Sequence, residues 1–271
     1  MRVETLLIIV VLFLIMSMVM ALSLLFFSFS PGALPTPAPI LAPNFECFVI
    51  NMTKNRDRMV NFDKQYNRSD LAARPYTRIE AINGAAMGDK MREYVTPKVW
   101  MGMNYLNQMK VRMADGQLTP GMIGCYLSHY LIFKQIVDEK LPYAVIFEDD
   151  ANIHPRIYSK KIQSIVEPDG TYPADWDMIL LGHWCKKCIP VTNDYTNVQY
   201  FWGLHGYMVS QQGAQKLINL RENEISMQID HYMSYLSQQG QLKILAVHPS
   251  YVVPGNFGTD LQMQITTMGK T

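Results

Sequence analysis

The sequence predicts an α/β domain with a mostly parallel central sheet, carried behind an N-terminal membrane span. Three observations lead there. Short apolar runs rich in β-branched and aromatic residues alternate with helix signals from Phe45 to Val247. One run, Tyr143-Ala144-Val145-Ile146-Phe147, has the look of a strand buried on both faces and ends abruptly in Glu148, Asp149 and Asp150. Ahead of the domain, every residue from Leu6 to Phe29 is apolar except Ser17, Ser23 and Ser28, about two dozen residues where roughly 20 suffice to cross a bilayer.

Residues 1–5 read as a short cytoplasmic tail and 6–29 as a transmembrane signal anchor, the apolar run being longer than the roughly 7–15 residues of a cleavable signal. Arg2 precedes the span and the next cation is Lys54, so the positive-inside rule keeps the N-terminus in the cytoplasm. The rest of the chain then faces the lumen of the endoplasmic reticulum or Golgi, or the extracytoplasmic side. Five prolines between Pro31 and Pro43 make 30–44 an extended stem, and 45–271 is read as one domain without internal repeats. Lys and Arg number 24 against 23 Asp and Glu and are scattered, which argues against a nucleic-acid partner. Asn51-Met52-Thr53 and Asn67-Arg68-Ser69 are glycosylation sequons, of which only Asn67 lies clear of a buried strand. Cys185-Lys186-Lys187-Cys188 reads as a local disulfide or two idle thiols before it reads as half a zinc site.

The elements follow in order. Cys47-Phe48-Val49-Ile50 is a compact strand that runs into Asn51, Lys54, Arg56 and Arg58, a basic turn suited to a diphosphate or, on the blander reading, a solvated helix start. Arg78 to Gly84 is a further strand closing in an Asn83-Gly84 turn, where Gly84 can take positive φ. Met87 to Met113 shows no clean period. Thr119 as N-cap and Pro120 at the first position open a helix whose apolar residues repeat from Met122 to Val137 and which stops near Lys140. Gly121 and Gly124 are costly inside that helix and make sense where it presses on another backbone or a flat ligand. Ser128 and His129 lie on its apolar face, as a hydrogen-bonded core pair or as ligand contacts. Trp176 to Gly182 and Gly206 to Val209 are strands, Ser210 caps a helix through Ile218, and Leu242 to Val247 is a late strand.

Three adjacent acids repel one another unless a cation sits among them, and hard oxygen donors suit Mg²⁺ or Mn²⁺ holding a phosphate; a solvated turn is the alternative. Ordered motifs extend the case: Val49-Ile50-Asn51 with Arg56 and Arg58; Arg78 to Asn83-Gly84; Leu118-Thr119-Pro120-Gly121-Met122-Ile123-Gly124-Cys125-Tyr126-Leu127-Ser128-His129; Glu148-Asp149-Asp150; Trp176-Asp177; and Ser210 to Leu217. On these residues the chain resembles the family 25 glycosyltransferases, which include lipooligosaccharide and collagen hydroxylysine galactosyltransferases.

The resemblance implies a GT-A type, Rossmann-like fold, a UDP-sugar donor, Mn²⁺ (or Mg²⁺) at the acidic triplet and inversion at the anomeric carbon. Carried over, Asp150 and Glu148 hold the metal, while Glu148 and Asp149 support metal or donor. Asn51, Arg56, Arg58, Asn83, Gly84, Gly124, Ser128 and His129 match positions expected near the nucleotide. Asn83 stands where Asp is usual, and Met122 where Glu is usual. For the carboxylate that takes the acceptor proton, Asp230 is the candidate, with Asp177 and Asp260 as alternatives and a helix cap as the blander role. The expected reaction moves galactose, or glucose, to a hydroxyl of a glycan or of protein hydroxylysine. Two other classes stay open: a membrane-anchored, inactive sugar-binding module on the same fold, and a redox or zinc protein centred on Cys185 and Cys188.

Overall fold

A computed structural model of the chain describes residues 45–109, 118–153, 165, 172–219, 224–258 and 261. The predicted tail, anchor and stem, and Asp260, lie outside them. No helix among the described residues is long and apolar enough to cross a membrane.

The sheet has six strands in the order β2-β1-β3-β6-β5-β7. These are β1 (Phe45–Asn51), β2 (Tyr76–Glu80), β3 (Tyr143–Glu148), β5 (Met178–Pro190), β6 (Tyr195–Ser210) and β7 (Ile244–Val247). β4 (Ala151–Ile153) and β8 (Val252–Pro254) form a separate antiparallel pair. β1 runs parallel to β2 and β3, and β5 parallel to β7, while β6 is antiparallel to β3, β5 and β7. Five strands therefore share one direction and β6 alone is reversed. The alternation of strand and helix signals hid this reversal. Only residues 191–194 separate β5 from β6, and a connection that short can close a hairpin but not a parallel crossover.

The alternation of β-strand side chains splits the core into two layers. Phe48, Ile146, Leu180, Tyr207 and Ala246 pack on one face with Ile132, Phe133, Leu217 and Met233. Cys47, Val49, Val145, Phe147, Ile179, Met208 and Leu245 pack on the other with Phe62 and Tyr66. Among the described residues the α-helices are α1 (Arg56–Tyr66), α2 (Pro97–Met109), α3 (Pro120–Asp138), α4 (Gln211–Asn219) and α5 (Ile229–Gln238). Short 3-10 turns at Gly84–Ala86 and Gly88–Glu93 lead into α2, where no period was legible.

The start of α3 is as read: Thr119 Oγ1 accepts from the Met122 amide at 3.1 Å, with Pro120 in the first turn. Ser210 likewise accepts the Gly213 amide at 3.0 Å. Gly84 departs from expectation, since its φ is not positive and it opens a 3-10 turn after β2 has ended at Glu80. What it needs is absence of bulk. A Cβ on Gly84 would lie 1.7 Å from the Pro120 carbonyl oxygen, and one on Gly124 would lie 2.2 Å from that of Ile82 and 2.6 Å from the Gly84 nitrogen. Gly84 and Gly124 thus let the chain after β2 lie backbone to backbone on α3, the closeness expected of Gly124.

Candidate active site

The parallel strands β1 and β3 end side by side, Ile50 being the register partner of Glu148. Since β6 runs the other way, it enters the sheet at that same edge, with Gly206 opposite Phe147. Acids leaving β3 therefore meet the residues that open the sheet-bound half of β6. A cleft of about 220 Å³ lies at this edge. It is lined by Asn51, Arg58, Asn83, Gly84, Ser128, His129, Glu148, Asp149 and Asp150, with Phe257, Gly258 and Leu261 across it.

Each acid has a different setting. Asp149 is 5% exposed and takes Asn51 Nδ2 at 2.7 Å and Arg58 Nη1 at 3.0 Å. Burial still lifts its pKa above the usual value, against those two partners. Arg58 also donates to the Gly258 carbonyl and sits 5.7 Å from the Phe257 ring centroid, which fastens the 257–258 segment beside the acids. Asn51 Oδ1 accepts from Arg78 Nε at 2.8 Å.

Glu148 feels burial first, which opposes its charge, but the His129 hydrogen bond and the electrostatic pull of its neighbours His129, His205 and Arg58 outweigh this and hold its pKa below normal. His129 is fully buried, with Nε2 3.3 Å from Glu148 and Nδ1 2.7 Å from the Tyr207 hydroxyl. Both ring nitrogens are thus engaged in positioning Glu148. Ser128 accepts the Ile82 amide at 2.9 Å and donates to the Gly124 carbonyl at 2.7 Å, clipping the chain after β2 to α3.

Asp150 is unlike the other two. Its Oδ1 is buried without a hydrogen-bond partner, and burial followed by the charges of Glu148 and Asp149 raises its pKa to about 7. Across from it stands His205, which no periodicity or run had singled out. It is 5% exposed, and neither ring nitrogen has a partner. Its Nδ1 is 4.0 Å from Glu148 Oε2, and burial lowers its pKa, favouring the neutral imidazole. One ligand atom each from Glu148, Asp150 and His205 fall within 4.8 Å of one another. Cys125, His129 and Glu148 form a second such group. Burial keeps that thiol protonated and His129 is already engaged, so the first group is the one with free lone pairs. Two carboxylates and a neutral imidazole fit a divalent cation, and the nitrogen donor inclines the set from Mg²⁺ toward Mn²⁺.

The remaining candidates divide. Arg56 opens α1 on its exposed side, outside the residues that line the cleft, whereas Arg58 lines it. Gly124 supports the wall from behind rather than lining it. Asp230 begins α5 as its second residue, so it is not the cap before the helix. Its Oδ2 accepts the Gly203 amide at 3.1 Å, Oδ1 accepts the His231 amide at 2.8 Å, and its charge acts on His205 and Cys125. Asp177 lies elsewhere, 1% exposed, accepting Lys216 Nζ at 2.6 Å and the Lys243 amide at 2.8 Å. It is a structural anchor and not an alternative to Asp230. Cys185 and Cys188 form a disulfide, which removes the zinc and free-thiol readings.

The profile described as "Glycosyltransferase family 25 (LPS biosynthesis protein)" matches residues 44–233. The chain belongs to glycosyltransferase family 25. Among its family 25 relatives are procollagen galactosyltransferase 1 of Danio rerio, 25% identical over 79% of this chain, and procollagen galactosyltransferase 2 of Homo sapiens, 24% identical over 69%. The chain spans 37% and 29% of the length of those two proteins. A Rattus norvegicus relative named "probable inactive glycosyltransferase 25 family member 3" is 24% identical over 69% of this chain and 32% of its own. A Drosophila β-1,4-galactosyltransferase 7 mutant solved with manganese, UDP-Gal and xylobiose aligns over 81% of this chain and 69% of its own at 8% identity, with a TM-score of 0.36, too low to carry an argument.

Proposed function

We propose that this family 25 domain is a metal-dependent, inverting hexosyltransferase of GT-A type. It moves galactose, or alternatively glucose, from a UDP-hexose to a hydroxyl of a glycan or of protein hydroxylysine. The observation that carries this reading is the pairing of Asp150 Oδ1 and the His205 imidazole, both buried and unpartnered, on either side of Glu148. Buried polar atoms of this kind are costly unless something completes them. Galactose is put first because two of the three relatives named above are procollagen galactosyltransferases.

Glu148, Asp150 and His205 would hold Mn²⁺, which when bound neutralises charge that grows on departing UDP. Arg58 adds fixed positive charge at the same edge while it restrains Asp149. His129 and Tyr207 keep Glu148 aimed and ionised. As the acceptor oxygen bonds to the anomeric carbon and the sugar–phosphate bond breaks, the hydroxyl proton passes to a carboxylate, and Asp230 is proposed for that part. In its favour, each of its oxygens accepts a backbone amide and keeps a further lone pair, so the group is held in place with an acceptor position open.

The disulfide supports an oxidising compartment, in line with a single-pass protein whose domain is luminal or extracytoplasmic. The test is UDP release by the full chain from UDP-galactose and UDP-glucose, with and without Mn²⁺. Manganese-dependent release is expected. Binding of UDP without turnover of any UDP-hexose would favour the inactive module, the reading that Asn83 in the cleft motivates.

A further inference from the structure

The hairpin of β5 and β6 carries a cluster of rings that neither the donor cleft nor the core uses. Trp184 and Trp202 are register partners across it, which turns both to the same face, and they are 51% and 42% exposed. Trp202 Nε1 donates to the Tyr200 hydroxyl at 3.0 Å, and Lys186 Nζ lies 4.2 Å from a Trp202 ring centroid. The Cys185–Cys188 disulfide closes the irregular stretch of β5 beneath them, where the register with β6 shifts.

Both ends of the cluster reach the site. Trp184 stands edge-on to His205 at 4.7 Å between centroids. The contact passes over Gly203, whose φ of 84° and lack of a Cβ leave room for both rings. At the other end, the Trp202 ring lies 6.4 Å from His231, the neighbour of Asp230. The rings therefore run from a proposed metal donor to the proposed proton acceptor, the interval an acceptor substrate has to bridge.

Resting on the transferase reading above, we propose that this hairpin is the acceptor subsite and that its occupant is a saccharide, one pyranose ring lying on Trp202 and Trp184. A pyranose presents an apolar C–H face inside a rim of hydroxyls. The hairpin offers the complement, flat indole surface edged by the Tyr200 hydroxyl, the His231 imidazole and the Lys186 ammonium. Lys186 also decides against a bare hydroxylysine. It stands over one side of Trp202, where its charge repels a second ammonium, while its N–H groups donate to the neutral hydroxyl oxygens of a ring resting on the indole surface left exposed.

The test uses the detergent-solubilised full chain and the methyl β-glycosides of galactose, glucose and N-acetylglucosamine. Binding is followed by saturation-transfer NMR, with a hydroxylysine-containing Gly-X-Y peptide as competitor and UDP affinity measured in the same preparations. At least one glycoside should bind wild type, Trp202→Ala should weaken it about tenfold or more, and Trp202→Phe should restore most of the loss. UDP affinity should hold in all three proteins, which reports that the fold is intact. Absence of glycoside binding to wild type, equal binding by Trp202→Ala, or displacement of the glycoside by the peptide would overturn the proposal, the last in favour of a peptide surface. If the glycosides behave as expected while neither UDP nor a UDP-hexose binds, the transferase reading falls and the saccharide site stands.

Discussion

Asp150 and His205 behave as two halves of one electrostatic device. The Asp150 pKa is raised to about 7 by burial and by the charges of Glu148 and Asp149. A carboxyl whose folded pKa exceeds its unfolded value of about 3.9 contributes stability below that value and loses it as pH rises through about 7. His205 and His183, lowered by burial, act oppositely below about 6.5, so the Asp150 share is read as a difference between proteins. Without metal, Asp150→Asn should overtake wild type in urea melts as pH rises from 5 to 8. Mn²⁺ should stabilise only wild type at pH 8. His205→Asn should weaken Mn²⁺ binding about tenfold or more, measured by the free-ion EPR signal, with UDP-free protein as the sample. The acids are legible in the sequence as three in a row after an apolar strand, a pattern that suits a solvated turn as well and that the neighbouring motifs turn toward a site. The sequence conceals His205, an isolated histidine between glycines whose role depends on the direction of β6. Arg56 was misleading for a simple reason. Residues two apart on a helix point about 200° from each other, so Arg56 and Arg58 cannot both face the cleft.

At the level of elements, the contact between α3 and the chain after β2 is the least forgiving junction. Adding a Cβ at Gly124 sets it against two backbone atoms that no rotamer change can move. Gly124→Ala should cost about 2–3 kcal/mol in chemical denaturation and lower UDP affinity, because the wall of the cleft moves with the helix. Gly124 was legible as a close approach, and Thr119-Pro120 as a helix start, because both signals are local. The hairpin was not, because strands of 13 and 16 residues broken by register shifts carry no clean alternation. Gly84 was misjudged for a related reason, as an Asn-Gly pair suggests a turn conformation when here it serves packing.

For the whole molecule, composition and motif order were enough to give an α/β domain of family 25, since two-faced burial writes itself as continuous apolar runs. Compartment leads to a test on intact cells. Asn51 is 2% exposed and its side chain is spent on Asp149, Asn55 and Arg78, whereas Asn67 is exposed at the end of α1. If the domain is luminal in a eukaryotic cell, a glycosidase-sensitive mobility shift should vanish in Asn67→Gln and persist in Asn51→Gln. Retention of the shift in Asn67→Gln would point to another acceptor and a different exposure of the chain.

The reversed strand has one more consequence. Trp202 and His205 sit three residues apart on β6 within an irregular stretch, where residues 202–206 face only 182–184 of β5 and Gly203 has a φ of 84°. β6 is thus a ruler that fixes how far an acceptor ring rests from the centre of reaction. A one-residue insertion between these marks would shift one of them in its register against β5 and so displace Trp202 from His205. The segment should therefore accept changes of side chain far more readily than changes of length.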